Sequence, residues 1–171
     1  MHDSTTDAFL REILRAANAV RARHRASPLR LNDDLIRYAK SRVREVSQGM
    51  GPDKVVRRKT SEVLYWGSTG LRLSEAADAR GAVDRWYAEV TEYDFDHPGF
   101  SPRTGHFTQL VWQGSTHIGA ARAIGGTPGK YETYIAVEFE KAGNIDGEFE
   151  QNVSPASHMT RGAPWSRLCP W

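Results

Sequence analysis

The chain is 171 residues long, 39% hydrophobic and 26% charged, with a formal net charge of +2, values that describe one globular domain able to bury its own core. No apolar run reaches the length of a membrane span, and a single cysteine, Cys169, excludes an internal disulfide and fits a reducing compartment. The start, Met1-His2-Asp3, has neither a basic segment followed by an apolar one nor a glycine in second position, so no secretory or myristoylation signal is expected.

The first helix is predicted from about Thr5 to His24. Phe9, Leu10, Ile13, Leu14, Ala17 and Val20 recur at helical spacing, while Arg11, Arg15, Arg21 and Arg23 fall on other faces. Pro28 ends it, and Asn32 is a good N-cap for a second helix carrying Leu35, Ile36, Ala39, Val43 and Val46 on one stripe. Gly49, Gly51 and Pro52 stop that helix. Residues 1–60 hold 14 Lys/Arg against 7 Asp/Glu, and the remainder holds 9 against 14. The basic third suits either an anionic membrane or nucleic acid, or the solvated faces of two helices; no nucleic-acid-binding motif accompanies it.

A short strand is expected around Val63 to Trp66, then a third helix after Ser74 with Ala79, Ala82, Val83, Trp86, Tyr87 and Val90 on its stripe. The run Gly105-His106-Phe107-Thr108-Gln109-Leu110-Val111-Trp112 reads as a short helix. Its aromatic and aliphatic residues anchor it while His106, at the first turn, points into a cavity. Two strands follow, His117 to Ile124 and Tyr131 to Glu140, joined by the hairpin loop Gly125-Gly126-Thr127-Pro128-Gly129. In the second strand Thr133, Ile135, Val137 and Phe139 share one face; Tyr134, Ala136, Glu138 and Glu140 share the other. Helices first and strands later predict an α+β fold, a layered domain over residues 1–153 with helices on both faces of a small sheet. Residues 154–171 read as an irregular tail in which Trp165 and Trp171 either pack back or stay exposed.

Glu62, Glu89 and His106 are the residues placed where a cavity site would need them. One imidazole and two carboxylates could hold a divalent metal or act as an acid–base group with its orienting partners; equally, they could be a satisfied buried histidine and two surface glutamates. A second candidate is Tyr93-Asp94-Phe95-Asp96-His97-Pro98-Gly99-Phe100, where Pro98-Gly99 would make a loop presenting Tyr93, Phe95 and Phe100 to an apolar ligand. The alternative is that these rings pack the loop onto the core.

The octapeptide Gly105–Trp112 resembles the signature segment of the CAP superfamily, the cysteine-rich secretory, antigen 5 and pathogenesis-related proteins. So do Leu10–Leu31, Asp84–Val90 through Phe95, Ala142-Gly143-Asn144-Ile145 and Phe149–Val153, in the family's order, over roughly residues 9–153. Pro98-Gly99-Phe100 and the near absence of cysteine are most similar to the Golgi-associated branch. The resemblance implies a three-layer α-β-α sandwich with a small mixed or antiparallel sheet. It also implies a cleft of two histidines and two glutamates that binds zinc or another divalent ion. Carried onto this sequence, three of these are Glu62, Glu89 and His106. The other histidine falls at Met50-Gly51-Pro52-Asp53-Lys54, which contains none; Asp53 is the candidate substitute, but an imidazole and a carboxylate favour different metals, so metal binding is expected to be weak. The aromatic loop fits the caveolin-binding pattern, which the family associates with sterol. The resulting expectation is a non-enzymatic protein that binds lipid or sterol and associates with an anionic membrane surface, intracellular and membrane-peripheral, or else secreted. A homodimer is a further expected partner by resemblance. The alternatives are a metal-dependent hydrolase with Glu89 or Glu62 as base and His106 as ligand, for which the sequence offers no convincing nucleophile, and a protein-interaction module.

Overall fold

A computed structural model of the chain describes residues 1–49 and 60–157. Helix α1 (Asp7–Arg23) begins where Thr6 Oγ1 accepts from Phe9 N–H at 3.2 Å. Helix α2 (Asp33–Ser47) begins where Asn32 Oδ1 accepts from Asp34 and Leu35 N–H at 2.8 and 3.1 Å. Helix α3 (Glu75–Ala88) begins at Ser74, whose Oγ accepts from Ala77 N–H. Each cap satisfies amide donors that the first helical turn leaves open. A short helix α4 (Gly105–Val111) and a single turn α5 (Phe149–Asn152) complete the α-helices among the described residues.

The sheet contains β1 (His2–Asp3), β2 (Arg30–Leu31), β3 (Thr60–Thr69), β4 (His117–Thr127) and β5 (Lys130–Glu140). Its order is β1-β4-β5-β3 with antiparallel neighbours, and β2 joins β4 in parallel, so the sheet is mixed. Helices α1, α3 and α4 cover one face and α2 the other, giving a three-layer α-β-α sandwich.

The two faces of β5 are those the alternation predicts. Ile135, Val137 and Phe139 enter the main core with Phe9, Ile13, Trp86 and Phe107, whereas Ala136 and Tyr134 meet Ala39 and Val43 of α2 in a smaller cluster. The alanines on that side let α2 lie close. At Gly119 a Cβ would stand 2.3 Å from the Leu35 carbonyl carbon, so only glycine fits there.

Strand β3 runs ten residues rather than the four expected, because the long β5 offers it an unbroken antiparallel partner from Thr60↔Glu140 to Thr69↔Tyr131. The strands β1 and β2 are two residues each, too short to leave a periodic signal. The expected five-residue hairpin loop is mostly strand: β4 continues through Thr127, and Gly126 and Gly129 take positive φ of 110° and 89° to make the tight return. Beyond α5, Val153 and Ala156 are buried and Ser157 N–H donates to Arg23 O at 2.9 Å. The Met50–Lys54 stretch, Cys169, Trp165 and Trp171 lie outside the described residues.

Candidate functional site

Glu89 and His106 come together at the start of α4. Glu89 opens a 3-10 turn (Glu89–Glu92) directly after α3, and its Oε2 accepts from the backbone N–H groups of His106 and Phe107, both at 3.0 Å. Its other oxygen, Oε1, lies 2.6 Å from His106 Nδ1. One carboxylate therefore caps the helix and fixes the orientation of the imidazole it carries. Phe107, Leu110, Val111 and Trp112 are buried and hold α4 rigid, while the His106 side chain is 42% exposed. A carboxylate-oriented imidazole at a partly open surface can exchange a proton or hydrogen-bond a ligand hydroxyl.

Next to the dyad, Asn144 Nδ2 donates to Gly105 O at 2.9 Å and Asn144 Oδ1 accepts from Thr108 Oγ1 at 2.6 Å. The Phe100 ring lies against Gly105, where a Cβ would come within 3.2 Å of Cε2. Phe100 is 55% exposed and Ile145, the neighbour of Asn144, is 44% exposed. Phe100 thus touches the residue before His106, and Ile145 follows the asparagine bonded to that same residue.

Glu62 does not join them. It shares the sheet face of Leu64, under α2, and its carboxylate takes Arg42 Nε at 2.6 Å and Nη2 at 3.0 Å. Glu45 engages the same guanidinium, and these acidic partners hold Arg42 more firmly charged than an ordinary arginine, Glu62 first. Glu62 also stands opposite Glu138 in the β3–β5 register. The expected trio is corrected accordingly: strand alternation sends Glu62 to the opposite face of the sheet from the octapeptide. Among the described residues no group of three His, Cys, Asp or Glu side chains is arranged to hold a metal ion. With Glu89 capping α4 and Glu62 bound to arginine, the described donors do not by themselves make a divalent-metal site; the Met50–Lys54 stretch, where the fourth ligand is expected, lies outside the described residues.

The aromatic loop is also corrected. Tyr93 and Phe95 are 4% and 2% exposed and pack edge-to-face with each other and Tyr93 with Phe107, with centroids 4.8 and 5.6 Å apart. Burial pushes the Tyr93 hydroxyl up to a pKa of about 12. Only Phe100 of the three faces solvent. The intervening polar residues stay outside: Asp94 bonds His97 Nδ1 at 2.9 Å, which lowers the carboxyl and raises the imidazole.

Periodicity does not reveal the buried charged residues. Arg21, placed by spacing on a solvent face, is fully buried and donates to four carbonyls; Glu138 is 1% exposed; and Asp78 binds Arg122 between α3 and β4. A charged residue on a helix or strand carries no sequence mark of the element that will later cover it.

The basic third does not form one surface. Arg11, Arg25, Arg30 and Arg44 make no ion pair among the described residues, but α1 and α2 lie on opposite sides of the sheet. The two segments that carry Phe100 and Ile145 are acidic in sequence. Residues 89–106 and 141–150 carry seven Asp/Glu against two Lys/Arg.

The family model of the cysteine-rich secretory protein family, CAP, matches residues 14–139. The chain is 31% identical over 164 residues to the human Golgi-associated plant pathogenesis-related protein 1, covering 91% of this chain and 98% of that protein. It is 43% identical over 89 residues to Protein PRY2 of Saccharomyces cerevisiae, covering 52% of this chain but only 26% of the yeast protein. Among solved structures, BmVAL-1 superposes with a TM-score of 0.70 at 16% identity over 89% of this chain and 85% of that one. NaASP2, solved with Zn2+, superposes with a TM-score of 0.62 at 16% identity over 88% and 87%. At these identities the two structures speak for the fold.

Proposed function

This chain belongs to the cysteine-rich secretory protein (CAP) family, and from that premise we propose that it is a non-enzymatic, intracellular protein that binds a sterol or similar lipid and associates peripherally with anionic membranes. The observation that carries the reading is the pair of exposed apolar side chains, Phe100 and Ile145, standing beside the Glu89–His106 dyad. A ligand with a broad apolar body and one hydroxyl would meet apolar surface and a hydrogen-bonding imidazole together. The engagement of Glu62 by Arg42 on the other face of the sheet from His106 weighs against a metal-dependent hydrolase built on those two residues.

Labelled cholesterol is expected to bind the folded chain saturably. The Phe100→Ser variant is expected to weaken that binding about fivefold to tenfold, the worth of one partly buried aromatic contact. Its thermal midpoint should stay within about 1 °C, because the ring is already half in water. Unsaturable binding in the folded wild type would remove the sterol reading, and unchanged affinity in the variant would move the ligand elsewhere.

A further inference from the structure

The other end of the sheet carries a second exposed apolar feature of opposite electrostatic character. An eleven-residue strand such as β4 spans about 33 Å, and this end lies at its far terminus from the dyad. Here the loop between β3 and α3, residues 70–74, exposes Leu71 at 77% and Leu73 at 38%, with Arg72 between them. Trp66, on β3 shortly before the loop, is 56% exposed. The loop comes near the β4–β5 turn, since a Cβ on Gly70 would lie 3.9 Å from Gly129 O, and Lys130 is exposed on that turn.

Leu73 and Arg72 also form part of the wall of a cavity of about 260 Å³, whose other walls include Arg122, Ile124, Tyr131 and Glu132. The acidic groups of this end are engaged or turned inward: Asp78 binds Arg122, Glu75 accepts from Thr6 Oγ1, and Glu132 is half-buried in the cavity wall. The charges that the two loop tips present to solvent are therefore Arg72 and Lys130. Exposed leucines with cations beside them suit the boundary between anionic headgroups and acyl chains, whereas Asp96 and Asp146, exposed in the two segments that carry Phe100 and Ile145, would be repelled from it.

We propose that the β3–α3 loop seats this protein on an anionic bilayer, with Leu71 and Leu73 entering the headgroup–acyl boundary and Arg72 and Lys130 at the level of the phosphates. This rests on the membrane-association reading given above and assigns the contact to one loop. In that orientation the Phe100–His106 end points away from the bilayer.

The test is cosedimentation of the full chain with phosphatidylcholine vesicles, with and without about 30% phosphatidylserine. Wild type is expected to partition onto the phosphatidylserine vesicles. The double variant Leu71→Ser/Leu73→Ser is expected to lose about tenfold in partition coefficient. Arg72→Ala is expected to lose about fivefold on phosphatidylserine vesicles only, and Phe100→Ser to bind as wild type. All four side chains are exposed, so unchanged thermal midpoints will show that each variant is folded. A double variant that sediments like wild type overturns this assignment while leaving membrane association intact. A wild type that sediments with neither vesicle overturns both.

Discussion

Replacing Arg21 with alanine is expected to lower the unfolding free energy by about 3–5 kcal/mol, the range for losing a large buried side chain together with its hydrogen bonds. The Arg21 guanidinium is fully buried, and among the described residues it makes no ion pair with a carboxylate. Instead Nε donates to Ser27 O at 2.8 Å, Nη1 to Leu110 O at 3.0 Å and Trp112 O at 2.9 Å, and Nη2 to Ser115 O at 3.1 Å. Leu110 and Trp112 sit at the C-terminal end of α4, where carbonyls lack intrahelical partners; Trp112 O also accepts from Ser115 N–H at 3.2 Å. A cation there also opposes the negative end of the helix dipole. Burial lowers the guanidinium to about 10, which still leaves it charged at neutral pH. Arg21→Lys keeps the charge but cannot reach four carbonyls with a fork of donors, so about 2 kcal/mol of loss is expected to remain. Urea unfolding of the three proteins at pH 7 checks this; a loss below about 1 kcal/mol in the alanine variant would mean that water takes over the four carbonyls. Arg21 holds one end of the helix whose other end carries His106, so its loss should also loosen the Glu89–His106 dyad.

The second large effect concerns Glu138 and has a pH signature. Its carboxyl is 1% exposed beneath α2, and Oε1 has no hydrogen-bond partner among the described residues. Burial first, and the neighbouring Glu62 carboxyl second, push its pKa from 4.5 up to about 9. The folded protein therefore keeps a proton that the unfolded chain releases. Stability from this group is fully present below pH 4.5, declines as the pH rises, and levels off near pH 9. Glu138→Gln, neutral at every pH, is expected to be more stable than wild type by about 1–3 kcal/mol at pH 8 and about equal at pH 5. Thermal melts of both proteins across that interval read the difference directly. Parallel curves would show that Glu138 is ionised in the folded state, with Arg42 serving both carboxylates.

Much of the scaffold can be read in the sequence because it rests on local signals. Thr6, Asn32 and Ser74 are side-chain caps of a familiar type, and Phe9, Ile13, Ala17 and Val20 repeat at the spacing of a buried stripe. The alternation in β5 assigns Ile135, Val137 and Phe139 to one layer and Ala136 to the other. The site is only half legible. His106 and Glu89 meet because each lies at a helix terminus, where a carboxylate and open amides attract one another. The direction of Glu62 leaves no local signal: it depends on strand register, and register depends on a partner strand some seventy residues away. Tyr93 and Phe95 show the reverse error, since aromatic spacing in a loop does not reveal which rings a neighbouring Phe107 will draw inward. Of the three, only Phe100, whose ring lies against Gly105, remains at the surface.

The most direct test of the lipid-binding reading is an NMR titration of the isotope-labelled chain with a soluble cholesterol derivative. Shifts that saturate and centre on Phe100, Ile145 and the His106 ring, with Leu71 and Leu73 unmoved, are the expected result. Saturable shifts centred anywhere else, or none in the folded protein, would contradict it.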